Sequence, residues 1–158
     1  MSIEYLNLLK SLTAIVPVYI ENHGKTTRLY LNSGQVKEVD YSFYKVLKDY
    51  CLIHYLNMNE IRKLSVNITG SRGMVPLYIR KDKILIPFKI YEKKGEEEKS
   101  FGYINIKEAE VNLDERFILC KGGQKIFFYD KKPNVLKKIG QSELLSKKIP
   151  VLEQWYGY

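Results

Sequence analysis

The sequence predicts an α+β fold: β-rich antiparallel sheets, two central helices at about 41–56 and 59–68, and a C-terminal helix at about 134–146. Three observations carry this. Short runs of Ile, Val, Leu, Tyr and Phe recur along the chain between Gly, Asn, Pro or charged breaks, the pattern of strands and turns. Phe43, Leu47, Tyr50, Cys51 and His54 recur at i, i+4, i+7, i+8 and i+11, one face of a helix. Beyond residue 75, strand-like runs follow one another until a last helical stretch near Val135.

In chain order, Ile3, Leu6, Leu8, Leu9 and Leu12 outline a short helix over 3–12. Ala14–Ile20 and Thr26–Leu31 read as strands, with Asn22-His-Gly-Lys25 as the hairpin turn between them. Asn32-Ser-Gly34 is another turn. Asp40 or Ser42 is placed to cap the first central helix, and Asn57 or Asn59 the second, through Ile61, Leu64 and Ile68. The pair has the outline of a helix-turn-helix. The preferred reading is two helices covering a sheet, because Val66-Asn-Ile68 is β-branched and no Gly marks the turn.

Thr69-Gly-Ser-Arg-Gly73 is a loop carrying Arg72, and it matches neither GxGxxG nor GxxxxGK[ST]. The central hairpin follows: Leu77–Ile79, the break Arg80-Lys-Asp-Lys83, then Ile84–Ile86. Pro76 and Pro87 are expected at strand ends or on an edge, since they donate nothing to a ladder. Glu92–Glu98 is a solvated charged loop. Phe101–Ile106 and Glu108–Leu113 are strands, and Leu113–Arg116 turns the chain. Phe117–Cys120 and Lys125–Tyr129 form a hairpin joined by Gly122-Gly123, which suits a type I′ turn. Asn134 is expected to cap the last helix, with Val135, Leu136 and Ile139 inward and Lys137 and Lys138 outward. Gly140 is a candidate end for it, and Pro150 opens an aromatic tail, Leu152–Tyr158.

The 158 residues are enough for one domain spanning 1–158, read as a strand–helix part (1–74) packed on a β part (75–150) with the tail beyond. No apolar run of about 18 residues suggests a membrane span, and Met1–Leu6 lacks the charged and apolar regions of a leader. Cys51 and Cys120 stand apart in apolar surroundings, as reduced core thiols of a cytoplasmic protein would. His23 falls in a turn and His54 on an apolar helix face, neither with a nucleophile spaced nearby. The carboxylates of Glu96–Glu98, Glu108 and Glu110 fall on loops or strand edges, where they make a poor acid–base pair. Metal-ligand spacing is absent. The expectation is therefore a non-enzymatic protein without cofactor or metal.

The net charge is +8. Lys, Asn, Ile, Tyr and Phe are also what an AT-rich genome encodes, so the distribution says more than the total. Residues 61–83 carry six cations and one anion, and residues 121–148 carry eight cations and two anions; 1–60 and 84–120 have no excess of cations. Two separate basic blocks are what a polyanion-binding face shows if the fold brings them together.

Between Val46 and Val111 the chain resembles the ComK family of competence transcription factors. The matching stretches are Val46-Leu-Lys-Asp-Tyr-Cys-Leu52, Arg62-Lys63, Val75-Pro-Leu-Tyr-Ile79, Ile84-Leu-Ile-Pro87 and Tyr103-Ile-Asn-Ile106. Leu12-Thr-Ala-Ile-Val-Pro17 is similar to that family's opening strand. Lys121-Gly-Gly-Gln-Lys-Ile126 and Val135–Gln141 are similar to its last strand and helix. The chain departs from the pattern at Tyr55–Arg62, where the family's Gly-x-Ser-x-x-Gly-Arg has lost both glycines, at Ile86-Pro-Phe88 in place of Phe-Pro-Thr, and at Tyr103 in place of Trp. The C-terminal half is also similar to the closing part of LytTR-type DNA-binding domains, from Lys99 through Ile106–Val111 and Gly122-Gly123 to Asn134–Ile139.

Both resemblances imply sequence-specific DNA binding. The first implies AT-rich double-stranded sites; the second implies that loop positions Lys99, Ser100, Lys132 and Asn134 enter the grooves. The cations Arg62, Lys63, Arg72, Lys81, Lys131 and Lys137 complete the candidate set, as phosphate neutralisers or, for Arg72 and Lys81, as loop residues within reach of bases. Such regulators dimerise to match paired half-sites, so a homodimer or higher oligomer is expected, with the tail Trp155–Tyr158 as the candidate contact. The alternative is a protein-interaction module on the same fold that has lost DNA binding, which the missing glycines favour. A third reading, an RNA binder, needs exposed aromatics among the lysines, and the strand periodicity points most of them inward.

Overall fold

Strands buried on both faces read as unbroken apolar runs, because neither set of alternating side chains meets water. Three such strands form the centre of this molecule. The computed structural model describes residues 1–18, 26–91 and 101–156, without the side chains of Trp155 and Tyr156. The turn at 22–25, the loop at 92–98, Lys99, Ser100 and the tail aromatics therefore lie outside the described residues. The chain runs α1 (Ile3–Lys10), β1 (Leu12–Pro17), β2 (Thr27–Leu31), β3 (Val36–Val39), α2 (Phe43–Ile53), α3 (Met58–Thr69), β4 (Leu77–Arg80), β5 (Lys83–Lys89), β6 (Phe101–Asn105), a 3₁₀ turn at Ile106–Glu108, β7 (Ala109–Asn112), β8 (Phe117–Cys120), β9 (Lys125–Phe127) and α4 (Lys132–Tyr156).

Strands β3-β2-β1-β6-β5-β4 make one antiparallel sheet and β7-β8-β9 a second. The first sheet draws on both sides of position 74, joined where Ala14 pairs with Ile104 and Ile15 with Tyr103. Along β5, Leu85 faces one side while Ile84, Ile86 and Phe88 face the other. The α1–α2 side packs Tyr5, Leu9, Val46, Leu47, Tyr50 and Cys51 onto Ile15, Leu29, Leu77 and Leu85. The opposite side packs Ile86, Phe88 and Ile104 against Ile118, Cys120, Ile126 and Phe128 of the small sheet and Val135 of α4. Further along α4, Leu145 and Ile149 meet Tyr78 and Ile84, with Leu64 and Ile68 of α3 beside them. This is the expected α+β, β-rich architecture. Cys51 and Cys120 are buried free thiols, and burial raises both above their ordinary range, Cys120 to about 11. Among the described residues no helix is long and apolar enough to cross a membrane.

Ser2, Ser42 and Asn57 cap α1, α2 and α3, each accepting from the backbone three residues on. No glycine is needed between α2 and α3, because Tyr55 itself takes φ 60. Several expectations are corrected. Strand β3 was not legible; its side chains are mostly exposed, so no apolar pattern marks it. Pro87 sits inside β5, opposite Tyr103. It fits because β4 begins at Leu77, paired with Leu85, and leaves no ladder partner for position 87 on that side. Helix α4 passes through both Gly140 and Pro150, since buried Leu145 and Ile149 anchor it where propensity alone would stop it. Asn134 lies in the first turn of α4, not at its cap, and Leu136 points outward, 49% exposed.

The Gly122-Gly123 link is not type I′, since only Gly123 has positive φ, at 94°. Gly122 is required by proximity instead. A Cβ there would lie 2.6 Å from the Gly34 nitrogen, so the β8–β9 and β2–β3 turns touch backbone to backbone. Gln124 Nε2 ties them further, donating to the Leu31 carbonyl at 3.0 Å and the Gln35 carbonyl at 3.3 Å.

Gly122→Ala is expected to lose about 1–3 kcal/mol as the two turns are forced apart. Gly140→Ala, where a new Cβ meets open space inside a helix, is expected to gain up to about 1 kcal/mol. Urea denaturation of both variants checks the pair.

Candidate functional site

Helix α3 ends at Gly70, which takes φ 71 and donates to the Val66 carbonyl at 2.8 Å. The chain then crosses to β4 through a loop pinned at several points. Gln141 Nε2 donates to Ser71 Oγ at 2.6 Å, Arg62 Nη2 to the Gly73 carbonyl at 3.4 Å, and Tyr103 Oη to the Val75 carbonyl at 3.0 Å. This loop and α3 form one wall of a cleft of about 660 Å³. The opposite wall is the segment after β9 and the start of α4. Asn134, Lys137, Lys138 and Gln141 share one face there, at i, i+3, i+4 and i+7. The ends of β5 and β6 contribute Lys89 and Phe101, and Tyr129 closes one side.

The lining is strongly one-signed. Arg62, Arg72, Lys89, Lys131, Lys137 and Lys138 face Asp130 as the sole acidic member. That carboxylate is already engaged: Oδ1 accepts from the Lys89 backbone N–H at 2.6 Å and Oδ2 from Lys138 Nζ at 3.0 Å. Lys138 also donates to the Pro87 carbonyl at 3.0 Å and lies 4.6 Å over the Phe101 ring. Its side chain is 13% exposed and that of Asp130 4%. Burial pulls Lys138 below its ordinary 10.5, against the pull of Asp130 in the other direction. Lys138 is thus a half-buried structural cation, not the outward residue its helical position suggested. The remaining cations stand without an acidic partner among the described residues, and no acidic residue sits in the first turn of α4.

Of the residues singled out in the sequence, Arg62, Arg72, Lys131, Asn134 and Lys137 converge here. The two basic blocks therefore meet at Arg62 and Arg72 from the first and Lys131 and Lys137 from the second. Three candidates stand elsewhere. Lys63 pairs with Glu60 at 3.6 Å on the outer side of α3. Lys81 is exposed in the β4–β5 turn, outside the cleft lining. Lys132 lines a separate hollow with Glu110 and Asp114. Lys99 and Ser100 fall outside the described residues. Sequence reasoning missed Lys89, Tyr129 and Gln141. For Gln141 the seven-residue spacing from Asn134 was the available signal; Lys89 and Tyr129 are set only by tertiary packing.

His54 ends α2 half-buried, edge-on to Tyr50 with ring centroids 5.1 Å apart. Burial, then Lys83 and Arg80, lowers it from its ordinary 6.5, and its Nε2 has no partner. No nucleophile among the described residues is bonded to it. Among the described residues no group of His, Cys, Asp and Glu is arranged to hold a metal. The chemistry the cleft offers is cation-lined capture of an extended anion. Comparison of the chain with family models, curated proteins and solved structures finds no match.

Asp130→Asn is expected to cost about 3–5 kcal/mol near pH 7, by leaving the Lys138 ammonium buried without its counter-charge. In that variant the folded protein binds the lysine proton more weakly than the unfolded chain does, so stability rises with pH. The deficit against wild type should therefore shrink as pH rises toward the ordinary lysine range of about 10.4, read by urea denaturation.

Proposed function

We propose that the protein binds double-stranded DNA through this cleft and acts as a cytoplasmic, sequence-specific transcription regulator of the ComK-like type at AT-rich sites. One observation carries the proposal: cations from two blocks far apart in sequence line a single cleft with one neutralised carboxylate. Phosphate groups are the anions such a lining suits, through Lys and Arg charge and through the positive end of α4. Arg72, on a loop bounded by two glycines, and Asn134, at the start of α4, have the side-chain geometry for base edges, Arg for guanine and Asn for adenine. An AT-rich minor groove, narrow and strongly negative, also suits Arg.

Binding to AT-rich duplex across a salt series tests the reading. The expected log–log slope is steeply negative, and Lys131→Ala and Lys137→Ala should each reduce its magnitude by about 0.9, one phosphate contact. Lys81→Ala, of equal charge change but outside the cleft, should leave the slope alone. A flat slope, or equal effects of all three substitutions, contradicts the proposal.

A further inference from the structure

The small sheet has a second face that the core does not use. Ile118, Cys120 and Ile126 point into the core, and their strand neighbours point out. Phe127 is 61% exposed, Tyr129 51% and Leu119 36%. The register sets the outward residues in two rows. Glu110, Leu119 and Lys125 lie side by side across the three strands, and Asn112, Phe117 and Phe127 form the row beside them. Phe117 and Phe127 contact each other at 5.9 Å, and Lys125 Nζ lies 4.6 Å over the Phe117 ring.

The pattern of sign along the first row decides what fits. A nucleic acid laid on this face would meet Glu110, with exposed Asp114 and Glu115 beside it, as well as Lys125 and Lys132. A second copy of the same face meets both signs favourably. A two-fold axis running parallel to β8, between two facing sheets, lays β7 of one copy over β9 of the other. Glu110 then opposes Lys125 twice, and Leu119 and Phe117 meet their own counterparts at the centre. The face is self-complementary in the sense an isologous interface requires. Glu110 and Lys125 are about 9.6 Å apart in backbone terms, two strand spacings, and neither makes an ion pair within its own chain among the described residues.

We propose that two copies of this chain pair through the outer face of β7–β9, with an apolar centre of Leu119 and Phe117, Phe127 lying over Asn112 of the other copy, and a Glu110–Lys125 pair at each side. The contact is independent of the nucleic-acid reading of the cleft. Its modest area points to a dissociation constant in the micromolar range.

Sedimentation velocity on the full chain, over a concentration series, tests it. Lys125→Glu sets Glu against Glu110 and is expected to weaken the dimer by about tenfold; Glu110→Lys should do the same. The double exchange E110K/K125E recreates both pairs in reverse and should return the constant to within about threefold of the unmodified chain. All three changes are on the surface, so circular dichroism should show an unchanged fold. The proposal is overturned by an unmodified chain that stays monomeric up to ~100 µM, by a dimer indifferent to Lys125→Glu, or by a double exchange no better than the worse single one. If the chain is monomeric and Phe127→Ala instead weakens binding of a single-stranded oligonucleotide, the face is a base-stacking platform and no dimer contact.

Discussion

The carboxylate of Asp130 holds three segments of chain in one place. It receives the backbone N–H of Lys89 at the end of β5 and the ammonium of Lys138 on α4, and it lies two residues beyond Phe128, which enters the core just after β9. Through Lys138 the same knot reaches the Pro87 carbonyl. That carbonyl is available because β4 does not extend far enough to pair with it. A proline in the middle of a strand, a short neighbouring strand and a buried lysine thus form a single arrangement. It fixes the start of α4 against β5, and so fixes one wall of the cleft relative to the other. Burying this ion pair is costly in itself. Its value lies in the position it imposes on a helix whose own N-terminal turns are largely polar.

The parts of the fold that could be read in the sequence are those whose residues report burial directly. β1, β5 and β6 are covered on both sides, so their apolar runs are continuous. α2 is covered on one side, so its period is clear. What could not be read is whatever depends on a partner elsewhere. β3 is an outer strand with exposed side chains. α4 continues past a glycine and a proline because of contacts made by Leu145 and Ile149 with β4 and β5. Lys138 has the helical position of a surface lysine and is buried because Asp130 and Pro87 come to it.

The same division runs through the cleft. The two charge blocks were visible as counts, and Arg72 on its glycine-flanked loop was visible as a motif. Which of the lysines would face the cleft was not, because Lys131 and Lys132 are adjacent in sequence and line different hollows. One residue of helical rotation separates a cation in a basic cleft from one beside Glu110 and Asp114. Two aromatics at the end of the β8–β9 hairpin, Phe127 and Tyr129, stand apart from the mostly inward set for a related reason. A strand in a two-layer packing buries only one of its two alternating sets, and Phe127 and Tyr129 belong to the other.

The meeting of Gly34 with Gly122 joins two hairpin tips that are nearly ninety positions apart into a shared vertex. Neither tip can be lengthened, tagged or exchanged for a homologous loop by itself, since an added side chain on one occupies the space of the other's main chain. In a set of descendants of this chain, the two tips should change length together or not at all.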